Sequence, residues 1–184
     1  MLDYFKLLIF PYKSLDKFNE TNLRFWGMFL IWILAMIGFV FPEIISVKDD
    51  IILQILLSLL AFLILFFPFV YGISWMLWIF GKGFKGIASY NEIKRVFVLS
   101  LIPIVFYLPF SILLVILALK NDKLEIIGYS NKVIQLILWI ISFRILITGI
   151  AKFNKFSYLF AVIIWFIVGV ILSGIALMMK SAIT

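Results

Sequence analysis

Gly81-Lys82-Gly83-Phe84-Lys85-Gly86 has the spacing G-x-G-x-x-G, in which glycines let the backbone wrap a dinucleotide pyrophosphate at a helix start. That chemistry needs a strand before the first glycine, a helix directly after the last, and an acidic residue about twenty residues on. Here the motif follows a long apolar run, the position about twenty residues further lies inside another apolar run, and no Lys-Ser/Thr pair closes a phosphate loop. The six residues read instead as a flexible turn that ends an apolar helix and presents Lys82 and Lys85 to phospholipid head groups. Ser89-Tyr90-Asn91-Glu92 has capping-box spacing, so a new helix is expected to open there.

Arg144 is the one charged residue inside a long apolar run. A guanidinium at the centre of a bilayer costs about 2.5–3.5 kcal/mol or more, and no Asp or Glu lies in any of the apolar runs to pair with it. Its side chain is expected to snorkel to the nearer head groups; a cation site gripping a lipid phosphate or a partner's carboxylate is the functional alternative. Lys152 and Lys155 just beyond that run are further candidates for lipid or partner contact. Pro68, Pro103 and Pro109 each remove a backbone donor within apolar runs and mark candidate kinks or hinges. Gly169 and Ser173 form a small-x-x-x-small face, read as a packing surface for a neighbouring helix of the same chain rather than for a second copy. The chain has no cysteine and no histidine, which removes disulfides, thiol nucleophiles, Cys/His metal sites and His-based triads together. No cofactor is implied. Glu43, Asp49 and Asp50 are close in sequence but read as a solvated loop and a helix N-cap, not as an intramembrane catalytic cluster.

The elements that must position these residues follow from composition. Of the 184 residues, 66% are hydrophobic and 14% are charged, and the mean hydropathy is +1.24. A soluble domain is about 45–50% apolar, and a soluble fold of this length could not hide so much apolar surface in one core. The abundant aromatics (21 Phe, 6 Trp, 7 Tyr) suit lipid-facing and interfacial positions. Five apolar stretches approach or exceed the roughly 17–25 residues that span a bilayer, at about 25–41, 51–80, 96–119, 133–150 and 157–179. Continuous apolar runs without alternation exclude a barrel, so the fold class is all-α, a polytopic transmembrane helical bundle forming one integral membrane domain. The second stretch is long enough to need tilt, a kink near Pro68, or an interfacial end carrying Trp75 and Trp78.

Residues 1–22 mix apolar and charged positions around Pro11 and are expected to lie in the cytoplasmic interface of the membrane. Met1 to Lys13 lacks the long apolar core and small-residue cleavage site of a signal peptide. With five spans, ten basic residues fall on the side of the N-terminus and five on the other. The positive-inside rule then puts the N-terminus in the cytoplasm and the C-terminus outside. The net charge of +7 is thereby read as contact with anionic inner-leaflet lipids and not with nucleic acid.

The order of these features resembles the Yip family, the Ypt/Rab-interacting integral membrane proteins. Gly81-Lys82-Gly83-Phe84-Lys85, followed by Val96 through Pro103, is similar to the family's glycine-basic loop and the proline-bearing third helix after it. Trp139 through Arg144, Gly149, Lys152 and Lys155 are similar to the fourth helix and its basic exit loop, and Phe10-Pro11 before the first span also fits. The resemblance implies five spans, a cytoplasmic N-terminus and a role in binding other membrane proteins. With about two dozen residues before the first span, the chain looks like a short, prokaryotic-type member in a cytoplasmic membrane, and the resemblance permits an accessory subunit of an ABC-type exporter. The expected function is a non-enzymatic scaffold or accessory subunit, in an exporter or in trafficking machinery. The alternative is a small transporter, channel or lipid-handling protein with Pro68, Pro103, Pro109 and Arg144 lining a path.

Overall fold

The computed structural model describes residues 2–20, 25–44, 51–120 and 124–183; Arg24, Lys48, Asp49, Asp50 and Lys123 lie outside the described residues, as do the side chains of Glu43 and Lys180. Among the described residues every regular element is helical and there is no strand. Four stretches are long and apolar enough to cross a membrane: Leu56–Gly83, Tyr90–Leu113, Lys132–Asn154 and Tyr158–Ile175. They fall on the second to fifth expected spans. The first falls on α3 (Phe25–Ile44), whose described apolar side chains cover the shorter Phe25–Gly38.

The N-terminal segment forms two helices, α1 (Leu2–Ile9) and α2 (Pro11–Glu20). Proline is at home as the first residue of α2, where its missing N–H would be unsatisfied anyway. Pro11, Leu15 and Phe18 recur at helical spacing and are buried, as is Leu7 of α1. These faces pack on the helices behind them, α6 (Tyr90–Leu99) and α8 (Leu124–Asn154). The Phe5 ring meets Phe106 with centroids 4.8 Å apart, and Tyr4 meets Phe18 at 4.9 Å. The expected interfacial segment is thus an amphipathic hairpin that buries Leu7, Pro11, Leu15 and Phe18 against protein and leaves Phe5, Ile9 and Phe10 exposed.

The second apolar run is one continuous rod. It comprises α4 (Ile51–Phe66), a π-helical turn over Phe67–Ile73 and α5 (Ser74–Gly83). Pro68 sits in the first turn of the π segment. Without an N–H to give Ile64, the ladder slips by one residue, and the helix absorbs the proline as a wider turn. The slip leaves the Tyr71 carbonyl to accept from Ser74 N–H and from the Tyr90 hydroxyl, at 3.2 Å.

The third run is one stretch of spanning length, as expected, with an irregularity inside it. After α6, Ser100 and Leu101 form a tight turn before α7 (Ile102–Lys120). Pro103, second in α7, cannot donate to the Leu99 carbonyl, so the backbone tightens into a turn there. Pro109 lies inside α7, which continues past it. The junction is central: Val96 through Ile104 is buried without interruption. In the apolar 18-residue window of Tyr90–Leu113 61% is buried, against 22% in that of Leu56–Gly83 and 17% in that of Tyr158–Ile175. The last two are therefore peripheral, with apolar faces turned outward. α3 packs mainly on α7 and, through the Trp32 indole donating to the Phe62 carbonyl at 3.0 Å, on α4.

α8 runs for 31 residues, longer than the expected 133–150, and α9 (Tyr158–Ile183) returns beside it. α6 packs on α8, and α5 packs on α9, so the α5–α6 and α8–α9 hairpins lie face to face. Gly149 sets the closest approach, since a Cβ there would overlap the Val96 side chain of α6. The Gly169 face of α9 does the opposite: a Cβ there would meet nothing within 4 Å, and Ser173 is exposed. The expected intramolecular packing through Gly169 and Ser173 is not made; α9 buries Ala161, Ile164 and Val168 instead. Replacing Gly149 with Ala should lower the thermal midpoint by the equivalent of about 1–3 kcal/mol. Combining Gly149→Ala with Val96→Ala should recover part of that loss; a double variant no better than the single one would show the overlap is relieved elsewhere.

Candidate functional site

One end of the bundle gathers the two turns that join α5 to α6 and α8 to α9, and they are built alike. Lys82-Gly83-Phe84-Lys85 and Lys152-Phe153-Asn154-Lys155 close their helices with the last lysine in the left-handed region, at φ 63° and 56°. In the first, Gly86 N–H reaches the Gly81 carbonyl at 2.8 Å and Lys85 N–H the Lys82 carbonyl at 2.9 Å. In the second, Phe156 N–H reaches the Ala151 carbonyl at 2.8 Å and Lys155 N–H the Lys152 carbonyl at 3.2 Å. Both are Schellman closures, which satisfy carbonyls a helix end would otherwise leave open.

Asn154 joins the two turns. It is 4% exposed, donates from Nδ2 to the Ile150 carbonyl at 3.0 Å, and accepts at Oδ1 from Ala88 N–H at 3.3 Å. A Cβ at Gly86 would overlap its amide and come within 2.7 Å of the Gly81 carbonyl. The glycine at 86 therefore leaves room for this side chain, not for a nucleotide phosphate. The turn expected to be flexible is pinned from inside. Two residues later the Ser89–Glu92 capping box opens α6, with Ser89 N–H donating to Glu92 Oε2 at 2.7 Å and Glu92 N–H to Ser89 Oγ at 3.3 Å.

Lys82, Lys85 and Lys155 are exposed at this end. Lys152, expected to reach lipid or a partner, is turned back onto the N-terminal hairpin. Its ammonium lies 2.7 Å from Asp16 Oδ1, donates to the Tyr12 carbonyl, and sits 4.4 Å from the centre of the Tyr12 ring. Lys94 lies over the Tyr71 and Tyr90 rings, at 4.8 and 5.2 Å. Arg144 is ten residues before the end of α8, about 15 Å along the axis. It is exposed, and its Nη2 donates to the Ile9 carbonyl at 3.3 Å, where α1 stops. The outlet expected for this guanidinium is thus a helix end of its own chain.

Between the α1–α2 break and α8 lies a cavity of about 520 Å³. Tyr12, Lys13, Arg144, Thr148 and Tyr158 supply its polar side chains, and Ile140, Phe143 and Ile147 form its apolar floor. Comparison with protein-family models, with curated proteins and with solved structures returns no match. What this end of the molecule can do therefore rests on its own chemistry: fixed cations that suit phosphate or carboxylate, beside hydrocarbon walls. Of the candidate hinges, Pro68 and Pro103 stand at real irregularities and Pro109 does not. None of the three lines the Arg144 cavity. Asn154 and Asp16, which help hold this end together, carry no motif that would single them out, and Gly149 is singled out in the sequence only by the family resemblance.

Removing the Asn154 amide leaves the Ala88 N–H buried without an acceptor, a loss of about 1–3 kcal/mol. Asn154→Ala should therefore speed amide exchange across residues 84–89 by about tenfold or more, while exchange in α3 and α7 stays unchanged. Uniform acceleration would mean that the amide supports the whole bundle. Lys152→Gln should make the α1–α2 hairpin more sensitive to protease, with little change in the rest, because Asp16 is largely exposed and such pairs contribute at most about 1 kcal/mol.

Proposed function

We propose that this chain is a Yip-like, non-enzymatic integral membrane protein that serves as a scaffold or accessory subunit for other membrane proteins, such as an ABC-type exporter or trafficking machinery. It crosses a prokaryotic cytoplasmic membrane five times. α3, whose 20 residues give about 30 Å, is the first crossing. The N-terminus and the pinned basic end face the cytoplasm, and the C-terminus lies outside, as the ten-to-five division of basic residues favours.

The observation that carries this reading is the lysine at the left-handed position of both turns. Glycine would take that conformation without strain, whereas a non-glycine residue there costs on the order of 1 kcal/mol. Attraction of the ammonium to a helix C-terminus offsets about 0.3–1 kcal/mol of it. The stability balance is thus near zero, and what lysine adds is an exposed charge on a fixed platform. Outward apolar faces on α4 and α9 supply the hydrocarbon part of a partner surface.

Lys85→Gly with Lys155→Gly separates charge from fold. The double variant should melt at the same temperature as the parent or higher, yet lose most co-purifying membrane partner when affinity-purified in mild detergent. Undiminished capture, or a parent that returns only itself, would reject the scaffold reading. Reporter fusions at the two termini should fall on opposite sides of the membrane. A transporter or lipid-handling role is the second reading. A further cavity of about 460 Å³ among α3, α6, α8 and α9 favours it, and flux of solute or lipid in reconstituted vesicles decides it.

A further inference from the structure

We propose that the chain holds one anionic phospholipid in a built site, its phosphate on Arg144 and Lys13 and one acyl chain passing Phe143 into the apolar cavity among α3, α6, α8 and α9. The site rests on membrane residence and on the geometry of α1, α2 and α8, and stands whether or not a protein partner binds the lysine turns.

Three observations converge on this occupant. The cavity at the α1–α2 break is lined by two cations, Lys13 and Arg144, with the hydroxyls of Thr148 and Tyr158, and no carboxylate is among its lining residues. Asp16, the nearby acid on α2, is engaged by Lys152. An anion entering here meets attraction without a competing charge, and a fork of guanidinium donors matches a phosphate. The remaining wall, Ile140, Phe143 and Ile147, is hydrocarbon. A free inorganic anion would gain nothing from it, whereas a lipid places alkyl chain against it.

Phe143 also lines the second cavity, of about 460 Å³, whose walls include Trp32, Ile73, Leu101, Ser142 and Leu146. That space is almost wholly apolar, and its size is that of a small-molecule pocket. The two cavities therefore share one wall, a ring 40% exposed. A headgroup in the first can send a chain past that ring into the second. Ser142 Oγ is buried with no hydrogen-bond partner, and buried hydroxyls are normally paired. An acyl ester oxygen is the acceptor such a lipid would bring to it.

The test uses the full chain, purified in mild non-ionic detergent and examined by native mass spectrometry with added phosphatidylglycerol, phosphatidylcholine or glycerol 3-phosphate. One phosphatidylglycerol should be retained at least tenfold better than phosphatidylcholine, and glycerol 3-phosphate should neither be retained nor compete. Arg144→Gln should reduce phosphatidylglycerol retention to the phosphatidylcholine level at unchanged helicity, and Arg144→Lys should keep most of it. Leu146→Trp, which fills the second cavity, should weaken retention of long-chain phosphatidylglycerol but not of the dioctanoyl form. Equal retention of both long-chain lipids by the parent overturns the headgroup site. Competition by glycerol 3-phosphate would make it an anion site without a lipid. Equal effects of Leu146→Trp on both chain lengths would remove the acyl path.

Discussion

A backbone amide or carbonyl released from its helix inside hydrocarbon has no water to bond, so each release must be met by a side chain or another backbone group. This constraint organises the molecule. Where the α5–α6 turn leaves Ala88 N–H inside the bundle, Asn154 accepts from it. Where the π turn displaces the Tyr71 carbonyl, the Tyr90 hydroxyl reaches it. Where α1 ends short of α2, Arg144 takes the Ile9 carbonyl. Between α3 and α4 the Trp32 indole N–H, itself buried, finds its acceptor in the Phe62 carbonyl. At these irregularities a polar side chain or hydroxyl directed inward finds a backbone partner.

The same constraint explains why one end is fixed. α5 and α8 both stop with their carbonyls closed by Schellman bonds, and the Asn154 amide sits between the two stops. Neither turn can move without breaking a bond of the other. The hairpin α1–α2 covers the adjoining part of α8, where Ile145 through Ala151 is buried on every face, while Leu136, Ile137 and Ile140 farther along are exposed. Among the described side chains of α8 those nearest the lysine turns are thus the most buried, and the lysines are displayed from turns bonded to one another.

The helical class and the positions of the long apolar runs are legible in the sequence because an apolar run of spanning length has few other uses. So is the capping box at Ser89–Glu92, a local motif whose two bonds close within four residues. Pairings that depend on another helix are not legible. Asn154, inside Lys152-Phe153-Asn154-Lys155, reads as one more polar residue in a loop until the α5–α6 turn is laid over it. Gly149 and Gly169 look alike in sequence; only the presence of Val96 opposite the first, and of nothing opposite the second, tells them apart. Lys152 counts as one more basic residue until Asp16, 136 positions earlier, is brought to it. Pro103 announces an irregularity, but its form depends on whether the freed carbonyl can be satisfied, and the Ser100 hydroxyl, donating to the Phe97 carbonyl at 2.6 Å, lets the helix tighten there without stopping.

The interruptions are also where space opens. Phe69 and Ile73 of the π turn, Ser100 and Leu101 of the α6–α7 junction, and Ser142 of α8 all line the apolar cavity. A widened turn and a tightened one lie beside the gap, and Trp32, Trp139 and Trp165 stand around it. Closed and empty, a void of this volume would cost on the order of 10 kcal/mol at about 24 cal/mol per Å³, as much as the whole net stability of a domain, about 5–15 kcal/mol. Open to the hydrocarbon of a bilayer it costs far less, because an alkyl chain restores the dispersion contacts that the protein leaves unmade. Lipid, or something equally apolar, would thus complete the packing that the irregular helices leave unmade.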